Sequence, residues 1–468
     1  MGKILSAYLT PHPPIIIKEI GMGEELKAAA TISGMESIAL DIKEKAPDTI
    51  IIITPHGPLF SDANSIAVEE SLKGDFGQFG HRELSYKFHN DLDLSYQIVK
   101  NSLKDGINLA QMTKEMYKSY GIADKLDHGV LVPLHFVDRL YSQFDVVPIT
   151  YGLLSSKELY KFGRLINEAI KLQKGDVSII ASGDFSHKLL DSGPYSYVKE
   201  GPEFDKELVN ILRDGKLSKI VTFDLALAQK AGECGLKSLI ILAGILSDYK
   251  IETDVLSYEG PFGVGYATAI FNILGEEAKD YIEDIEIDQK NKLDKIKNME
   301  SSYVKLARNS LTHFLEYKEY LEIPEDIDRE LLDIKKPVFV TLKKNGALRG
   351  CIGSTSSREE NLAMEIIKYA VEAGLNDPRF PEVELNELAE ITFSVDVLEK
   401  PEPIDSIDSL DTQEFGVIVT KGYKKGLLLP RIEGVDTKEE QVRIALNKAG
   451  IGENEDYKME RFRVTRHY

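Results

Sequence analysis

Up to about residue 275, short solid runs of apolar side chains alternate with longer stretches in which apolar residues recur every three to four positions. Ile4–Leu9, Thr49–Ile53, Phe144–Ile149 and Val177–Ala181 are the solid runs, and the second holds Ile50–Ile53 without a break. Leu26–Lys45 and Ser156–Leu172 carry the helical period. Strands apolar on both faces, separated by helices, predict an α/β domain with a mostly parallel sheet covered by helices. Tyr266–Leu274 is the last such strand.

The pattern then changes. Residues 275–300, GEEAKDYIEDIEIDQKNKLDKIKNME, are dense in charge and have no Gly or Pro after the first position. An exposed helix or linker fits this composition, and a domain boundary is expected at 276–295. Beyond it the pattern reads as a smaller α+β domain, 296–468. Tyr303–Tyr320, Asn361–Ala373 and Thr437–Lys448 are its expected helices, and Ile391–Leu398 and Gly416–Thr420 are expected strands. Pro337–Leu342, an Asn345-Gly346 turn and Ala347–Ile352 form a hairpin signature.

Composition narrows the classes. The chain has 468 residues, with 57 Lys plus Arg against 77 Asp plus Glu, a formal net charge of −20. That balance argues against broad nucleic-acid binding, which needs cations to neutralise phosphates. The two cysteines, Cys234 and Cys351, cannot make a disulfide framework, so a reducing, cytoplasmic setting is expected. The longest wholly apolar run, near Leu239–Leu246, is far short of a membrane span. Pro11, Pro13 and Pro14 cut short any secretory leader. Met1, Gly2 and Ser6 fit an N-myristoylation pattern, but Ile4–Leu9 reads better as a buried first strand. Neither a dinucleotide fingerprint nor a P-loop occurs; Gly260, Gly263 and Gly265 have the wrong spacing.

Histidine is the informative residue. Of nine, seven fall within the first 187 positions, and three follow apolar strands. Ile4–Leu9 runs into Thr10-Pro11-His12-Pro13, and Ile50–Ile53 into Thr54-Pro55-His56-Gly57. Val177–Ala181 runs into Ser182-Gly183-Asp184-Phe185-Ser186-His187. Ligands bind beyond the carboxyl ends of strands in open α/β sheets, so three histidines delivered there predict one shared site. Imidazole suits Fe, Zn, Cu or Ni, and two histidines with a carboxylate leave open positions on non-haem Fe(II). Glu233, before the apolar run Leu236–Leu246, is the candidate carboxylate, and Glu259 competes with it.

These residues resemble the class III extradiol ring-cleavage dioxygenases and their Memo-like relatives, over about residues 1–275. The carriers are Pro11-His12-Pro13, Thr54-Pro55-His56-Gly57, Asp127-His128-Gly129 with Pro133-Leu134, Gly183-Asp184-Phe185-Ser186-His187, and Glu233-Cys234-Gly235. The resemblance implies that His12 and His56 are metal ligands, with Glu233 as the third. His187 would be the acid–base group and His128 a pocket histidine near the substrate. Asp184 is expected either to orient His187 or to cap a turn. Memo-like relatives use a cysteine in this region, so Cys234 is the alternative ligand. A carboxylate favours Fe(II); a thiolate makes a softer site that also takes Zn or Cu. The implied function is Fe(II)-dependent extradiol cleavage of a catechol-type small molecule with O2. The alternative is a Memo-like metal-binding redox or interaction module without ring cleavage.

Ala347-Leu348-Arg349-Gly350-Cys351-Ile352-Gly353-Ser354 is the candidate pocket of the second domain. Arg349 offers a fork for a carboxylate or phosphate. A reactive Cys351 would need a base, and no motif joins it to His313 or His467, so a buried structural cysteine is the preferred reading. Residues 296–468 resemble the AMMECR domain, through Leu348–Gly353, Asn376-Asp377-Pro378-Arg379-Phe380-Pro381 and Gly426-Leu427-Leu428-Leu429-Pro430. The resemblance implies a fold, and a radical SAM protein as a partner from the same system.

Overall fold

Ile50–Ile53 lies inside β2 (Thr49–Thr54), and all four isoleucines are fully buried. Ile51 and Ile53 enter the core on one face of the sheet, and Ile50 and Ile52 the core on the other. Each contributes about 1.5–3 kcal/mol by leaving water, which is why this strand carries no polar alternation. The computed structural model describes every residue except Met1, Asn345, Glu433 and Gly434. Met1 of the Met1-Gly2-Ser6 pattern and Asn345 of the expected Asn345-Gly346 turn therefore lie outside the described residues.

The chain divides into unit 1, Met1–Asp288, and unit 2, Gln289–Tyr468, with the division inside the charged helix Ile282–Asn298. Unit 1 contains β1 (Ile4–Thr10), β2, β3 (Asn64–Ala67), β4 (Ser71–Phe76), β5 (His81–His89), β6 (Leu109–Met112), β7 (Asp145–Thr150), β8 (Val177–Ser182), β9 (Tyr249–Glu259) and β10 (Tyr266–Glu276). Its main sheet has the order β6-β3-β7-β2-β8-β1-β10-β9, and β4 with β5 forms a separate two-stranded arm. The central four strands, β7, β2, β8 and β1, are parallel. β10 and β9 add as an antiparallel hairpin on one side, and β3 pairs antiparallel with β7 on the other. Helices Ala29–Lys45 and His128–Asp138 bury their apolar sides in the core on one face of the sheet. Ser156–Leu172 and Leu236–Ile245 do so on the opposite face. The α/β architecture read from the sequence is therefore present, with antiparallel additions at the sheet's flanks.

Unit 2 is α+β. Its strands are β11 (Val338–Lys344), β12 (Ala347–Gly353), β13 (Ile391–Leu398), β14 (Glu402–Ile404), β15 (Phe415–Lys421), β16 (Lys424–Leu428) and β17 (Lys458–His467). They pair antiparallel in the order β12-β11-β13-β17-β15-β16, with β14 also on β17. Helices Ser302–Tyr317 and Leu362–Leu375 cover Val338, Val340, Leu342 and Val395 of the sheet. Helix Lys438–Ala449 packs its Val442 and Leu446 with Val417, Val419 and Leu428 in a second core. No helix of the described residues is long and apolar enough to cross a membrane.

Candidate metal centre

Strands β2, β8 and β1 are neighbours, and each delivers a histidine just past its carboxyl end: His56, His187 and His12. Far-apart segments of the sequence therefore meet at one edge of the sheet. His12 is 1% exposed, and its Nε2 lies 3.0 Å from His56 Nε2. His128, the first residue of helix His128–Asp138, stacks on His56 with ring centroids 4.3 Å apart. One ligand atom each from His12, His56 and His128 lies within 4.8 Å of the others, a group that could hold a metal ion.

The protonation of His12 follows from its neighbours. Ser182 Oγ donates its one proton to the Gly129 carbonyl at 2.6 Å, because a carbonyl can only accept. Ser182 Oγ must then accept from His12 Nδ1, 2.9 Å away. The Nδ1 position carries the hydrogen, and Nε2 turns its lone pair towards the pocket, the tautomer a metal requires. His56 Nε2–H donates to that lone pair in this structure.

Asp127 ties the second and third histidines together. Its Oδ1 accepts from the Thr54 hydroxyl at 2.7 Å and from Gly129 N–H at 2.8 Å. The same carboxylate thus caps the helix that begins at His128 and holds the end of β2, two residues before His56. Gly129 allows this approach: a Cβ there would sit 2.3 Å from Thr54 Oγ1.

Cys234 also faces the histidines. Its Sγ is 3.6 Å from His12 Nε2 and 3.7 Å from His187 Nε2, and Asp184 N–H donates to it at 3.3 Å. This closeness depends on Gly183, where a Cβ would meet Gly235 Cα at 2.2 Å. Glu233, the carboxylate named from the sequence, is hydrogen-bonded to backbone. Its Oε2 accepts from Leu236 N–H at 2.6 Å, at the start of helix Leu236–Ile245. Burial raises its carboxyl pKa to about 7, against the hydrogen bonds from Leu236 and Gly235. A carboxylate bound to a helix N-terminus is in its favoured place. The competing Glu259 is also engaged elsewhere, accepting from both the backbone and the hydroxyl of Thr31.

Asp184 holds His12 and not His187. Its Oδ1 accepts from His12 N–H at 2.9 Å, and its Oδ2 is 4.0 Å from His12 Nε2. Burial raises Asp184 to about 7, opposed by the His12 hydrogen bond. Burial also lowers the four imidazoles: His12 and His56 fall, His128 to about 3, and His187 to about 4. For His12, His128 and His187 the neighbouring imidazoles add to the fall. The Cys234 thiol is held protonated by burial and by nearby Asp184. At neutral pH these are neutral imidazoles beside a protonated thiol, with His12 and Cys234 buried and His56 open to solvent.

The residues pass a simple test of fit. Two nitrogens each about 2.0–2.1 Å from a tetrahedral metal stand about 3.3–3.4 Å apart, against the 3.0 Å of His12 and His56. A nitrogen and a thiolate sulfur at tetrahedral angles stand about 3.6 Å apart, the separation of His12 and Cys234.

Ser182, Thr54 and Asp127 set the tautomer and the spacing, and sequence reasoning does not single them out as functional. Ser182 and Thr54 each end a histidine-bearing strand, and Asp127 precedes a histidine at a helix start, so a signal is present. In unit 2 the candidate pocket residues bond to the protein itself. Arg349 gives Nε and Nη2 to Glu387 at 3.1 and 2.8 Å, and it also bonds the Pro381 and Glu382 carbonyls. It has no free fork for a ligand. Cys351 N–H donates to Asp377, its thiol accepts from Thr341, and burial raises its pKa. His467 stacks on Tyr303, and His313 lies against Tyr317.

Residues 6–269 match the family model of the catalytic LigB subunit of aromatic ring-opening dioxygenase, and residues 304–467 match the AMMECR1 model. A Clostridium acetobutylicum protein is 45% identical over 98% of both chains. A Thermotoga maritima protein is 47% identical over 36% of this chain and 98% of its own. The crystal structure of an uncharacterized Pyrococcus horikoshii protein is similar at 34% identity, over 35% of this chain and 88% of that one, with a TM-score of 0.33.

Proposed function

The chain belongs to the family of the catalytic LigB subunit of aromatic ring-opening dioxygenases and carries an AMMECR1 domain behind it; on that premise we propose that unit 1 is a metal-dependent oxidoreductase acting on a small aromatic diol with O2. The observation that carries this reading is the lone pair of His12 Nε2, aimed at His56 and Cys234 by the Ser182 hydrogen bond. His12, His56 and Cys234 hold the metal, with Fe(II) first and Cu or Zn as the other candidates for this donor set. His128 lines the pocket on the side of His56.

Bound iron would supply a Lewis acid that lowers the pKa of a diol hydroxyl. The side chains do the rest. His187 is neutral at physiological pH and accepts the second hydroxyl proton at a ring nitrogen. Asp184 keeps the His12 backbone in place, and Ser182 keeps its ring from rotating. Burial of His12 and Cys234 keeps bulk water from the donor atoms.

One observation favours a second reading, a redox or interaction module without ring cleavage: the Cys234 thiol lies 3.6 Å from His12 Nε2, while the Glu233 carboxylate accepts from Leu236 N–H. Oxygen uptake separates the two. Fe(II)-reconstituted protein incubated with a panel of catechols should consume O2, and His187→Ala should lose about 100-fold or more. Metal-loaded protein that takes up no O2 with any catechol supports the second reading instead.

A further inference from the structure

Two aromatic side chains outside the metal-facing set stand over the site, each resting on one of its histidines. Phe79 is at the tip of the β4–β5 arm, with its ring 5.5 Å from His128 at 74°. Tyr195 lies in the loop after His187 and stacks on that ring at 5.9 Å and 17°. Both are accessible, at 36% and 54% exposure. An exposed ring on a polar pocket gains little from burial, so its position needs another reason.

The supports of both rings are well defined. The arm's Leu72, Phe76 and Phe88 are buried in the same core as Val130, Leu131 and Leu134 of helix His128–Asp138. Its tip is a single turn, Gly77–Phe79, followed by Gly80 at φ +89. The Tyr195 loop is closed at its base by Val198 N–H to Lys188 O, and is held to the β9–β10 turn by Leu189 N–H to Gly263 O. Each ring is thus carried on a short element anchored beside a pocket histidine.

We propose that Phe79 and Tyr195 determine substrate specificity by packing on a flat aromatic ring bound at the histidines. A planar ligand packs on either ring stacked or edge-on, as aromatic pairs prefer. An aliphatic diol of the same donor atoms gains neither contact. This inference rests on the metal-dependent reading of the site, and it adds which side chains choose the substrate.

The test uses the full chain reconstituted anaerobically with Fe(II), titrated calorimetrically with catechol and with ethylene glycol as the non-planar diol. Metal content is measured in the same samples. Tyr195→Ala and Phe79→Ala should keep their metal and bind catechol about three- to tenfold more weakly. Tyr195→Phe should retain wild-type affinity, and catechol should bind the wild type far better than ethylene glycol. Unchanged catechol affinity in both alanine variants with metal retained overturns the proposal and leaves the metal reading standing. A metal-loaded wild type that binds no catechol overturns both.

Discussion

Ser182 Oγ sits 2.9 Å from His12 Nδ1 and, having given its proton to the Gly129 carbonyl, can only accept there. One serine hydroxyl thereby selects which nitrogen of a buried histidine is free for a metal.

Ser182→Ala removes that selection without adding bulk. Metal affinity should fall about 10–100-fold, the usual effect of losing a partner that orients a ligand. Competition with a chelator measures it. Unchanged affinity would mean that His12 keeps its tautomer by other means.

Gly183→Ala tests the approach that brings Cys234 in. The added Cβ would lie 2.2 Å from Gly235 Cα, against backbone with no rotamer to absorb it. The expected cost is about 1–3 kcal/mol or more, read as a lower urea midpoint, together with faster reaction of the Cys234 thiol with a maleimide. A variant with wild-type stability and thiol protection would show that the two loops are not held in this contact.

In unit 2 the Arg466–Asp396 pair invites a double substitution. Asp396 is 1% exposed and accepts from Arg466 at 2.6 and 2.9 Å. Asp396→Ala removes the carboxylate from a part-buried guanidinium and should cost about 3–5 kcal/mol. Adding Arg466→Met should recover most of the loss, measured by denaturant unfolding. A double variant no more stable than Asp396→Ala would place the cost in packing and not in charge.

Acid should loosen the staple around Cys351. Arg379 holds the Asp377 carboxyl down to about 2, and Arg349 holds Glu387 down to about 2. A lowered carboxyl pKa stabilises the fold above the ordinary value and loses that effect as pH falls through the folded one. Stability should therefore hold at pH 5 and decline from about pH 4.5 towards pH 2. With Arg379 54% exposed at its side chain, its pair with Asp377 is worth about 1 kcal/mol after solvent screening. Hydrogen exchange at the Cys351 amide, which donates to Asp377, reports it. Exchange that is flat from pH 5 to pH 2, after correction for intrinsic rates, would contradict the assignment.

The sheet of unit 1 is legible in the sequence because its central strands are buried on both faces and read as solid apolar runs. The histidines are legible because three such runs end alike. β17 is not. Its run KMERFRVTRH alternates cations with few apolar residues, yet it lies inside the sheet between β13 and β15. Arg466 finds Asp396, while Arg461 and Arg463 lie over Phe415 at 4.3 and 4.6 Å. Long-range partners make those charges tolerable, and periodicity cannot show them. The choice between Glu233 and Cys234 is illegible for a similar reason. The thiol lies near His12 and His187 while Leu236 N–H donates to the Glu233 carboxylate, and neither contact shows in the sequence.

The most direct test is the metal content of anaerobically purified protein supplied with iron, compared with His12→Ala, Cys234→Ser and Glu233→Ala. About one metal ion per chain is expected in the wild type and in Glu233→Ala, with most of it lost from the other two. Metal retained by Cys234→Ser but lost from Glu233→Ala would contradict the ligand set. A natively folded wild type that binds no metal would contradict the centre itself.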